Sequence, residues 1–150
     1  MKTILIATDG SDSARAAVDT GLELAADEGA RAVFVHVISM LDLGTNWDAG
    51  LDKPPERVPT PEDEQILAEA LKLAALRGVI AKAELLIGYA PKQIARLAND
   101  IEADVIVVGS RPLGRVKRVV VGSTSRELLS LTSRPVLIVS PPGVREPATA

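Results

Sequence analysis

The sequence has no cysteine, one histidine (His36) and a single residue each of tryptophan, tyrosine and phenylalanine. Without cysteine there is no disulfide framework and no thiolate metal site, and one imidazole cannot form a histidine cluster, so structural zinc is not expected. Long apolar runs are also missing. The stretch that opens the chain, Ile4 to Ala7, is only four residues, whereas a signal-peptide core needs about 7 to 15 and a membrane span about 20. This predicts a cytoplasmic protein that engages no membrane. Nor is there an excess of one charge: 17 basic and 20 acidic residues give a net charge of -3. With no basic stripe and no interleaved aromatic residues to stack on bases, nucleic acid is not an expected partner. Because only 2% of residues are aromatic, the core has to be built from Val, Ile, Leu and Ala, which favours helices on a buried sheet.

What is present is a regular alternation. Five short apolar runs, Ile4 to Ala7, Ala32 to Val37, Ile80 to Ile87, Val105 to Val108 and Val136 to Val139, are nearly continuous and rich in Val and Ile, as strands buried on both faces are. Helical spacing lies between them. Ser11 to Glu28 ends at Gly29, a helix stop, and Thr60-Pro61-Glu62-Asp63 reads as a cap, a first-turn proline and dipole-favoured acids opening a helix to Arg77-Gly78. Pro91 to Asn99 and Thr124 to Leu131 complete the set. The β-α-β-α-β-α-β-α-β pattern predicts one α/β domain over 1–150, a doubly wound five-stranded parallel sheet in the order 3-2-1-4-5. The connection from Ser39 to Pro59 reads either as a functional flap or as a segment without fixed structure, and 141–150 as a flexible tail.

Ligands of open parallel sheets bind beyond the carboxyl ends of the strands, where the connections change direction. In this order that point lies between strands one and four, so the loops Thr8 to Ser13 and Gly109 to Ser125 are the ones to inspect. In the first, Asp9 could accept hydrogen bonds from a ribose or a base amino group, or Asp9 or Ser11 could simply cap the next helix. The second leaves its strand in glycine and returns as Gly122-Ser123-Thr124-Ser125 into a helix. Amides and hydroxyls at a helix N-terminus suit an anion, but Thr124 and Glu127 also have capping-box spacing. The residues alone leave both readings open. Other phosphate motifs fail: Gly109 to Gly114 has P-loop glycine spacing, yet Arg115-Val116 replaces the lysine and hydroxyl, and no Gly-x-Gly-x-x-Gly follows strand one. A receiver-like phosphorylation domain would need paired acids after strand one, an acid after strand three and a lysine after strand five. Here Gly88 and Ser140-Pro141 occupy the last two places. His36, near the end of a buried strand, reads as a structural histidine.

The opening Ile4-Leu5-Ile6-Ala7-Thr8-Asp9-Gly10-Ser11, the His36-Val37 end of strand two, the Gly88-Tyr89-Ala90-Pro91 turn and the glycine loop resemble the universal stress protein family, in the right order over nearly the whole chain. The resemblance implies the adenine nucleotide alpha hydrolase-like architecture. Members of the family that bind ATP carry glycine, two residues, glycine, nine residues, glycine, then serine or threonine. Gly109, Gly122 and Ser123 agree, while Pro112 stands at the second glycine, where it offers no N-H donor and fixes its own φ. The resemblance implies that Asp9 and the Val37 region meet the adenosine and that Gly109, Gly122, Ser123 and Thr124 meet phosphates.

The candidate nucleotide-binding set is therefore Ala7, Thr8, Asp9, Val37, Gly109, Arg111, Gly114, Gly122, Ser123, Thr124 and Ser125, with ATP or AMP as ligand and magnesium carried, if at all, on its phosphates. No nucleophile stands beside a general base, so a stress-response or signalling module is expected rather than an enzyme. The alternatives are a weak ATPase using Asp9 and Ser123, and a nucleotide-free dimer acting through protein contacts. An apolar edge strand at 135–140 predicts a homodimer.

Overall fold

The computed structural model describes residues 1–39, 59–112, 119–120 and 123–142. The Ser39 to Pro59 connection thus falls, apart from its ends, outside the described residues, as does most of the 141–150 tail. Strands β1 (Thr3–Ala7), β2 (Arg31–Ser39), β3 (Ala81–Gly88), β4 (Val105–Gly109), β5 (Arg111–Pro112), β6 (Val119–Val120) and β7 (Val136–Val139) alternate with helices α1 (Asp12–Glu28), α2 (Pro61–Leu76), α3 (Ala90–Asp100) and α4 (Ser123–Leu131). The main sheet runs β3-β2-β1-β4-β7, with every neighbouring pair parallel. That is the expected 3-2-1-4-5 order, β7 being its fifth strand.

Alternation along β1 and β2 divides the core in two. Ile4, Ile6 and Phe34 face Ala17, Val18 and Leu22 of α1 and Leu67 and Ala70 of α2. Leu5, Val33 and Val35 face Ile94, Ala95 and Ala98 of α3 and Leu128 of α4. Each large apolar side chain sealed in this way contributes roughly 1.5–3 kcal/mol of transfer free energy. The helices end where the sequence says they should. Ser11 Oγ accepts the Ala14 N-H at 3.2 Å, Gly29 closes α1 in the left-handed conformation (φ 63°), and Thr60 and Asp63 form a reciprocal capping box at the start of α2.

Two expectations need correction. The third strand is Ala81–Gly88, not Ile80 to Ile87, and Ile80 stands 82% exposed ahead of it. Nor are all five strands buried on both faces: β3 and β7 are the sheet edges and only half covered, so a nearly continuous apolar run does not separate an inner strand from an edge.

Candidate functional site

The carboxyl ends of β1, β2 and β4 and the starts of α1, α2, α3 and α4 enclose a cleft of about 690 Å³. Of the expected residues, Ala7, Thr8, Asp9, Val37, Gly109, Thr124 and Ser125 line it. Ser123 opens α4, and Arg111 lies in β5, which pairs antiparallel with β6 through Arg111↔Val120 and Pro112↔Val119. The Gly109 to Ser125 loop therefore contains a short hairpin that the sequence reading did not anticipate. Gly114 and Gly122 lie outside the described residues.

The two readings of the first loop separate by role. Ser11 is the cap of α1, while Asp9 Oδ1 accepts the Ser11 N-H at 2.9 Å, bracing the turn at the cleft wall. Thr8 is buried and ties the turn to the sheet: its N-H bonds to the Val35 carbonyl at 2.9 Å and its hydroxyl accepts the Gly10 N-H at 3.3 Å. In the second loop, α4 begins at Ser123, so Thr124 lies within the first turn rather than at the cap position its spacing to Glu127 had suggested. The buried Ser125 hydroxyl donates to the Gly109 carbonyl at 3.5 Å.

His36, Asp63, Ile66, Tyr89 and Glu127 also line the cleft and were not in the expected set. His36 is buried, with Nδ1 donating to the Thr8 carbonyl at 3.0 Å and Nε2 2.9 Å from Asp63 Oδ1. Both ring nitrogens face oxygen partners. The bridge joins β1, β2 and α2. Asp63 Oδ2 in turn accepts the Thr60 N-H at 2.9 Å and the Thr60 hydroxyl at 2.9 Å. The Thr60 N-H does most to hold this carboxyl down at about 2, against the upward push of burial, with His36 and the Thr60 hydroxyl adding to it. Across the cleft the Tyr89 hydroxyl donates to Glu127 Oε2, tying the entry to α3 to the first half of α4. The sequence did signal Asp63 and Glu127, but as helix-start residues rather than as walls of a cavity.

The open parallel sheet thus carries a ligand-sized crevice at its switch point, and a solved chain at 21% identity shares this fold with a TM-score of 0.73. The universal stress protein family model matches residues 1–140. The chain is 36% identical over 142 residues to the universal stress protein in the QAH/OAS sulfhydrylase 3' region of Thermus aquaticus, covering 92% of this chain and 98% of that one. It is 31% identical over 143 residues to universal stress protein YxiE of Bacillus subtilis, covering 91% and 97%. A universal stress protein solved in complex with cAMP superposes with a TM-score of 0.69 at 25% identity, over 93% of this chain and 97% of that one. The chain belongs to the universal stress protein family. Among the described residues, no helix is long and apolar enough to cross a membrane.

Proposed function

We propose that this protein is a cytoplasmic adenine-nucleotide-binding module of stress response or signalling, in which ATP or AMP in the cleft alters a homodimer or a partner surface. The observation that carries the reading is one cavity of about 690 Å³ uniting Asp9, Val37, Gly109 and Thr124. That volume is within the roughly 300–1,000 Å³ of small-ligand sites. Asp9 offers a carboxylate to ribose or base, and the first turn of α4 offers amides and hydroxyls to phosphate. The relative solved with cAMP supports the same chemistry. Any magnesium would arrive on the phosphates of the nucleotide.

Asp9→Ala is expected to weaken AMP binding by about tenfold or more, because a hydrogen bond to a charged group is worth roughly 1.5–3 kcal/mol. Its melting midpoint should fall by no more than about 4 °C, since Ser11 keeps the helix cap. Titration calorimetry and a thermal melt, run together, check both. Unchanged affinity in Asp9→Ala would remove Asp9 from the site.

The dimer is proposed through the outer edge of β7. The other edge strand carries exposed Lys82 and half-buried Glu84, 3.9 Å apart, charges that discourage strand addition. In β7, Val136–Val139 is wholly apolar and Leu137 is 37% exposed. Leu137→Lys should convert a dimer into a monomer by light scattering at micromolar concentration. A dimer that survives the substitution contradicts this interface.

A further inference from the structure

We infer that His36 is a positioning residue of the nucleotide site: Nδ1 fixes the Thr8–Asp9 peptide at the cleft wall, and Asp63 of α2 holds the ring in place through Nε2. The inference rests on the nucleotide reading above and deepens it. β1 pairs with β2 as far as Ala7 and Val35, and the Thr8 N-H adds one more bond, to the Val35 carbonyl. The Thr8 carbonyl lies beyond the last paired residues. It belongs to the peptide that joins Thr8 to Asp9 and can only accept, so the His36 ring donates to it from Nδ1 at 3.0 Å. Residues alternate across a strand, so His36 shares the face of Phe34 that α1 and α2 cover. There Asp63 Oδ1 meets Nε2 at 2.9 Å, and each of the two side chains is only 9% exposed. The ring has little room to swing off the carbonyl.

Helix α2 meets the same turn a second time. Asp63 and Ile66 are three residues apart, on one face of the helix, and both line the cleft. Gly10, in the left-handed region at φ 79°, lies so near that a Cβ on it would stand 3.0 Å from Ile66 Cγ1. Inside the turn, Thr8 Oγ1 accepts the Gly10 N-H and Asp9 Oδ1 accepts the Ser11 N-H. Those two bonds are local, whereas the His36 ring joins the turn to both β2 and α2. The two ring nitrogens therefore have separable effects. Loss of the Nδ1 bond frees the Thr8–Asp9 peptide to rotate and changes the direction in which Asp9 leaves the backbone. Loss of the Nε2 contact weakens the start of α2 and costs mainly stability.

Two amide substitutions separate these effects. In His36→Asn the side-chain nitrogen stands near the place of Nδ1, keeping a donor for the Thr8 carbonyl and losing Asp63. In His36→Gln it reaches near the place of Nε2, keeping a donor for Asp63 and losing Thr8. AMP affinity is measured by calorimetry well below each melting midpoint, and the midpoints are measured alongside. His36→Gln should be the more stable variant yet bind AMP about fivefold to tenfold more weakly than wild type. His36→Asn should melt lower, yet bind within about twofold of wild type. A histidine that merely touched the ligand would be missed equally in both variants, and a purely structural one would cost neither folded variant its affinity. Equal affinities in the two variants, the reverse order, or failure of both to fold therefore overturn the inference. If only one folds, its own expected affinity decides. Wild type that binds no AMP overturns the nucleotide reading itself and this inference with it, a result distinct from any difference between the variants.

Discussion

Asp63→Ala is expected to destabilise the protein by about 2–4 kcal/mol, from the lost helix cap together with the lost buried hydrogen bonds to its carboxylate. Asp63 holds His36 at 2.9 Å and accepts both the Thr60 N-H and the Thr60 hydroxyl. Its loss would strip α2 of its capping box and leave a buried imidazole nitrogen without its acceptor. His36 also donates to the Thr8 carbonyl, so the damage should reach the turn carrying Asp9. The pH dependence follows from the carboxyl being held at about 2, below its ordinary 3.8. A group whose pKa is depressed by folding stabilises fully above its unfolded value and loses that contribution as pH falls through the folded one. Stability should therefore drop between about pH 4 and pH 2, and Asp63→Asn should flatten that limb. Urea unfolding at a series of pH values measures both effects. A wild-type acid limb identical to that of Asp63→Asn would show that the pair does not contribute.

Gly109→Ala is expected to cost about 3 kcal/mol, at the upper end of what overpacking does to a core. A Cβ at Gly109 would sit 2.5 Å from the Ser13 carbonyl oxygen and 2.6 Å from its carbonyl carbon. These are backbone atoms of the first turn of α1, so no side-chain rotation relieves the clash and either β4 or the helix must move. For a chain of this size that loss lowers the melting midpoint by roughly 6–12 °C. A midpoint within about 2 °C of wild type would mean that β4 and α1 do not approach this closely in solution. Gly109 thus has a packing reason to be glycine that is independent of any phosphate.

This bears on how much of the protein its sequence reveals. The sheet order and the place of the crevice were legible because each apolar run but the last is followed by a helical pattern, and right-handed crossovers leave few arrangements. Asp9, Val37, Gly109 and Thr124 were legible for the same reason, as residues just past strand ends or at a helix start. The far walls were not. Asp63 and Glu127 occupy positions where acids normally serve a helix, and only the packing of α2 against β2 and of α3 against α4 turns them toward a cavity. The choice between Ser11 and Asp9 as cap also needed coordinates, because either side chain can reach the same amides. The edge character of β3 was hidden because its outer charges, Lys82 and Glu84, sit inside an otherwise apolar run.

The central claim is that an adenine nucleotide occupies the carboxyl-end cleft, and backbone amide chemical-shift mapping by NMR on adding AMP tests it most directly. The account predicts shift changes concentrated at Thr8, Asp9, Val37, Gly109, Thr124 and Ser125. The opposite pole offers an internal control, a second hollow lined by Met1, Lys2, Gly29, Gly78 and Ile80, where the amides should stay still. Changes centred on that pole, or none anywhere at millimolar AMP, would contradict the account.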